Sequence, residues 1–189
     1  MTFVLPEGLA PEVYPLAWLV GRWAGHGEVA YPGVPRAGIT QEVAFDHDGG
    51  PYLTYTATTS LAGADGEPGQ VWAVESGFWR VAPETPEGME LAEHQHPLEV
   101  VLSDASGLLT CYMGAVGNGR IDLATRFAAA TESGPEVRGA TRMYGNVGGR
   151  LMWAWDLAAF GQDLRSYLSA ELTRVDGPAG DAESADGES

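Results

Sequence analysis

The chain has no lysine, one cysteine and four histidines in 189 residues, and no histidine lies beyond His96. All of its basic residues are therefore arginines, 10 against 26 acidic residues, which leaves a formal net charge of −16. A surface this negative, with no basic cluster to override it, repels phosphate backbones and anionic headgroups, so the sequence argues against nucleic-acid and membrane partners. With Cys111 alone, no intramolecular disulfide can form and nothing suggests a secreted, stapled fold. In its apolar surroundings that residue reads as a buried, inert thiol. No apolar run approaches the roughly 20 residues of a membrane span, and no basic region leads into an apolar core at the N-terminus. The expected location is cytoplasmic. The G-x-S-x-G, Walker and C-x-x-C patterns are also missing, so hydrolase, nucleotide and redox readings have no support and no catalytic residue is assigned.

What is present is strand and turn. Residues 1–12 carry no periodic pattern and read as a loose N-terminal arm. Residues 13–20, with Pro15 early and Gly21 at the end, read as one short helix whose Leu16, Trp18 and Leu19 would close one end of a barrel. From Thr40 onward, short segments of near-alternating polarity are rich in β-branched and aromatic residues. Turn chemistry separates them, as in Asp48-Gly49-Gly50-Pro51, Asp104-Ala105-Ser106-Gly107, Gly117-Asn118-Gly119 and Gly148-Gly149, at intervals of roughly 10 to 20 residues. Strands are expected at 71–81, 89–93, 98–103, 108–113, 121–127, 137–144, 151–158 and 164–175, making about ten or eleven in all, and a sheet of that size tends to close on itself. The fold class is thus all-β, a single antiparallel barrel of about ten strands with a short N-terminal helix over residues 13–175. Such barrels usually enclose a ligand cavity. Residues 176–189 are acidic and lack an apolar anchor, the composition of a disordered tail.

Candidate sites are few. His94 and His96 have the i, i+2 spacing that sets two imidazoles on one face of a strand, but no third ligand is visible, so no metal site is assigned and both read as loop residues before Pro97. His26 and His47 read as exposed polar residues near turns. Of the six tryptophans, Trp72, Trp79, Trp153 and Trp155 fall in expected strands, where they fill a core or line an apolar cavity for a flat ligand. Gly21, Trp23, Gly25 and Gly27 form a G-x-W-x-G-x-G pattern after an apolar segment. Glycines packed this densely in a strand imply a sharp helix-to-strand entry or a close backbone neighbour, with Trp23 filling the space they leave.

That pattern, together with the C-terminal run from Met143 through Gln162 and from Leu164 to Val175, resembles the nitrobindin family of small β-barrels related to fatty-acid-binding proteins. The resemblance implies a nitrobindin- or lipocalin-like barrel. It also implies haem b held near the barrel mouth by one histidine on the last strand, with a ferric form associated with nitric oxide binding and peroxynitrite isomerisation. At the matching position this chain has Tyr167. A phenolate oxygen is a hard anionic donor that favours ferric iron, but tyrosine must first lose a proton with an unperturbed pKa near 10. Three readings of Tyr167 follow: a ferric haem ligand, a lining residue for some other small apolar ligand, or an ordinary strand residue in a barrel filled by its own tryptophans. Strand parity groups Tyr167 with Ser169, Glu171 and Thr173, opposite Leu168, Ala170 and Leu172. The sequence leaves the native ligand and the oligomeric state open.

Overall fold

The computed structural model describes residues 5–175; the expected acidic tail and the first four residues lie outside that range. A 3₁₀ helix over Pro11–Leu19 precedes ten strands: β1 (Gly21–Tyr31), β2 (Val34–Asp46), β3 (Leu53–Ala62), β4 (Pro68–Val81), β5 (His96–Asp104), β6 (Leu108–Gly117), β7 (Arg120–Ala130), β8 (Val137–Val147), β9 (Arg150–Ala159) and β10 (Arg165–Arg174). Each pairs antiparallel with its neighbour in sequence, and β1 pairs with β10 to close the barrel. Closure leaves no strand of the barrel without a neighbour on each side, although β4 meets β5 only from Glu75 onward and β7 meets β8 only up to Ala124. The turns fall where glycine was expected, and Asn118-Gly119 and Gly148-Gly149 all have positive φ, the backbone that tight two-residue hairpins require. Residues 89–93 are not a strand but part of an irregular β4–β5 connection. Their Glu90 and Glu93 interrupt the run with charge, and five residues is too short a pattern to outweigh the flanking Gly88 and Pro86.

The helix begins earlier than expected, with Leu9 and Ala10 already buried before it. Its apolar residues Val13, Leu16 and Leu19 are all fully buried, and they recur every third position. Three residues per turn is the 3₁₀ period, so the three side chains stack on one face. That face plugs one end of the barrel and packs against β4 and β6.

The G-x-W-x-G-x-G segment forms the join. The Trp23 indole N–H donates to the Leu19 carbonyl at 2.7 Å, and the Arg174 guanidinium donates to the carbonyls of Trp18 (3.0 Å) and Val20. These donors satisfy carbonyls at the helix end that have no partner within it. Arg174 also lies over the Trp23 ring at 4.3 Å. Gly21 turns the chain at φ 126°, which side chains disfavour. At Gly25 and Gly27 a Cβ would overlap the Glu171 and Ser169 carbonyl oxygens of β10. The glycines therefore let the first and last strands meet.

Candidate functional site

Aromatic rings run up the barrel interior from the plugged end. Phe45 and Tyr55 pack on Trp79 at 5.2 and 5.7 Å, Trp79 meets Tyr144 edge-on at 5.1 Å, and Tyr144 stacks on Trp153 at 5.4 Å. Trp153 and Trp155 follow at 6.5 Å, and Tyr167 then meets Trp155 edge-on at 4.9 Å. Trp79 and Trp153 thus fill the core, whereas Trp155 ends the filled part.

Beside this column lies a buried ion pair that sequence reasoning did not single out. Arg142 on β8 (2% exposed) donates through two nitrogens to the carboxylate of Glu75 on β4 (7% exposed), one of these contacts measuring 2.9 Å. The Tyr112 and Tyr144 hydroxyls accept further bonds from Arg142 at 3.2 and 3.4 Å, and the guanidinium stacks over Trp155 at 4.1 Å. Burial alone opposes the Arg142 charge, but Glu75 and the surrounding tyrosine oxygens hold its pKa well above the ordinary value. Burial also pushes Tyr55, Tyr112 and Tyr144 up, the last to about 12. One signal was available: Arg142 alternates in phase with Ala140 and Tyr144, which places a charge on the inward face of its strand.

Above the pair, at the mouth opposite the helix, the barrel opens into a cavity of about 580 Å³, within the range of small-molecule sites. Trp155 and Leu157 form its apolar wall, Val71, Trp72 and Phe160 its exposed rim, and Glu75 and Asp104 supply carboxylates. Among the described residues no histidine lines it, and neither does any arginine. Tyr167 does. The register between β10 and β9 slips between Ser166 and Leu168, and this bulge turns Tyr167 inward beside the buried Leu168 instead of outward with Ser169 and Glu171. A bulge re-aims one side chain against strand parity, so alternation along the strand does not report which way Tyr167 faces. The Tyr167 ring is held edge-on by Tyr31 at 5.7 Å as well as by Trp155, and its hydroxyl oxygen accepts the Trp72 indole N–H at 2.8 Å. Its pKa is raised, chiefly by burial, with Glu75 and Asp104 adding to the rise and Trp72 and Arg142 opposing it.

The other candidates lie elsewhere. His26 is on β1, where it approaches the Gly66 carbonyl at 3.4 Å, and His47 directly follows β2. His94 lies in the β4–β5 connection and His96 opens β5, and no group of three or more His, Cys, Asp or Glu side chains suited to a metal ion occurs among the described residues. Cys111 is half-buried on the outer surface of β6, between the exposed Val101 and Phe127 of the adjacent strands. It is not the core thiol that its apolar neighbours suggested. No helix among the described residues is long and apolar enough to cross a membrane.

A second concavity of about 710 Å³ lies on the outer surface over β1, β10, β9 and β8, bordered by His26, Met143 and Met152. It is separate from the interior site.

Comparison with known proteins gives the same architecture. Residues 12–174 match the THAP4-like, heme-binding beta-barrel domain. The chain is 45% identical to a ferric nitrobindin-like protein of Beutenbergia cavernae, with 93% of this chain and all of that protein covered. It is 33% identical to a protein of Kocuria rhizophila called peroxynitrite isomerase, across 93% of this chain and 97% of that one. The crystal structure of Rv2717c from M. tuberculosis superimposes with a TM-score of 0.73 at 31% identity, covering 89% of this chain and 99% of that one. A ten-stranded barrel closed between β1 and β10, carrying this glycine-tryptophan join and matched along nearly its whole length, belongs to the nitrobindin family of THAP4-like heme-binding β-barrels.

Proposed function

We propose that this barrel binds a small, flat, apolar ligand in the cavity beside Tyr167, and that haem ligation through a residue of the last strand is impaired or lost. The observation that carries the reading is the state of Tyr167. Its hydroxyl is tied to Trp72, and burial with two nearby carboxylates favours its neutral form. Ligation by tyrosine needs the phenolate, and this environment works against it.

The rest of the donor set fits haem no better. Among the described residues the cavity has no imidazole to replace the phenol and no lining cation to receive the two propionates, while Glu75 and Asp104 would repel them. The apolar wall and rim instead suit an uncharged aromatic body. The relatives called peroxynitrite isomerase and the family's heme-binding description favour a second reading, a ferric haem protein with Tyr167 as axial ligand.

Hemin titration separates the two. Visible spectra would be recorded for the wild type, Tyr167→Phe and Tyr167→His. The expected result is a stoichiometric ferric complex in Tyr167→His alone. A tight complex in the wild type that weakens in Tyr167→Phe would establish tyrosinate ligation and remove the proposal.

A further inference from the structure

The cavity contains a hydrogen-bond donor whose proton has no acceptor among the described residues, and we infer that the ligand is a neutral aromatic carbonyl compound, such as an aryl ketone, aldehyde or quinone, that docks its oxygen on Tyr167. This inference rests on the cavity reading above and narrows it to a chemical class.

The direction of one hydrogen bond is decisive. An indole N–H can only donate, so in the 2.8 Å contact between Trp72 and Tyr167 the phenol oxygen is the acceptor. The Tyr167 proton remains, and no acceptor for it exists among the described residues. Burial raises the phenol's pKa, so the proton stays in place at neutral pH. A donor free on an apolar wall calls for a ligand oxygen, because a polar group left without a partner once a ligand displaces solvent is costly.

The donor is also rigid. Tyr167 is clamped between Tyr31 and Trp155, and Tyr31 is itself fixed by its hydroxyl, which donates toward the Leu157 carbonyl at 2.9 Å and accepts the Ala159 N–H at 3.1 Å. A rigid donor loses little entropy when it binds.

Charge sets the remaining limit. Of the two carboxylates at the cavity, Glu75 is engaged by Arg142, and Asp104 accepts from the Ser106 and Leu108 backbone N–H groups at 2.8 and 3.3 Å. With Arg142 committed to Glu75, a ligand carboxylate would meet Asp104 and no free lining cation among the described residues, so the acceptor should be an uncharged carbonyl.

Three naphthalene probes of similar shape test this by calorimetric titration against the wild type and Tyr167→Phe: 2-acetonaphthone, 2-ethylnaphthalene and 2-naphthoate. The ketone is expected to bind the wild type about 3- to 10-fold more tightly than the hydrocarbon, the worth of one hydrogen bond, and the anion more weakly than either. In Tyr167→Phe the ketone's advantage should vanish while the hydrocarbon's affinity holds, which also shows that the variant is folded. The ketone's infrared carbonyl stretch should move to lower wavenumber on binding the wild type and not on binding the variant. Equal binding of ketone and hydrocarbon to the wild type, or tightest binding of naphthoate, would overturn the carbonyl inference while leaving the cavity reading intact. If no probe binds, both fall.

Discussion

Replacing Glu75 with glutamine keeps the shape of the side chain and one acceptor oxygen but leaves the Arg142 guanidinium uncompensated in the barrel. Removing one partner of a buried ion pair costs about 3–5 kcal/mol. Here the remaining charge keeps the faces of Trp155, Tyr112 and Trp153, at 4.1, 5.2 and 5.6 Å, as partners. Cation–π contacts of this kind are worth about 0.5–2 kcal/mol, which places Glu75→Gln at the lower end, about 3 kcal/mol. For a chain of this size that is a fall of about 6–12 °C in melting temperature. The pair can also be removed whole. Glu75→Gln with Arg142→Met leaves no buried charge, and the double variant should recover much of the loss, because replacing a buried pair with neutral groups of similar volume is often close to neutral. Urea unfolding followed by tryptophan fluorescence, alongside thermal melts of the wild type and both variants, reads the effect. If Glu75→Gln lies within about 0.5 kcal/mol of the wild type, the range of an ordinary surface substitution, the pair is not holding an uncompensated charge. If the double variant is less stable than the single one, the reasoning about compensation is wrong.

Alkaline pH offers a second test. Tyr144 keeps its proton to about 12 in the folded state, against about 10 when unfolded, so its contribution is fully present below pH 10 and is lost as pH climbs toward 12, on the order of 2–3 kcal/mol. Tyr55 and Tyr112, also raised by burial, act in the same direction, and Tyr144→Phe should flatten the fall of the urea midpoint over that range. At the β1–β10 closure, Gly25→Ala should destabilise by about 1–3 kcal/mol or more, because the new methyl meets the Glu171 carbonyl. Gly139→Ala, where nothing lies within 4 Å, should melt close to the wild type, and equal losses at the two sites would discount the close approach.

The strand-and-turn pattern was legible because alternation and glycine turns are local properties, each imposed by a few neighbouring residues. The Gly25 and Gly27 positions could be recognised as crowded, yet the residues crowding them, Glu171 and Ser169, lie on the last strand, more than a hundred residues away. Arg174, which completes the helix cap and covers Trp23, carried no signal in sequence for the same reason. Arg142 and Glu75 were hidden differently: Arg142 was visible by parity as an inward charge, but only the barrel's curvature brings its partner on β4 across from β8. The run at 89–93 and the surroundings of Cys111 misled because short apolar stretches do not reveal which way they face.

By itself, the sequence determined an antiparallel barrel and the helix that precedes it, since those follow from periodicity and turn chemistry along the chain, and its glycine-tryptophan and C-terminal motifs resemble those of the family to which it belongs. Through that resemblance it also drew attention to a tyrosine on the last strand, Tyr167. What that tyrosine does was decided by tertiary structure: a one-residue bulge turns it inward, Trp72 from another strand takes up its oxygen, and closure of the sheet leaves room above the Arg142 and Glu75 pair. Direction, partner and space at Tyr167 all depend on residues distant in sequence, and only the closed barrel brings them together.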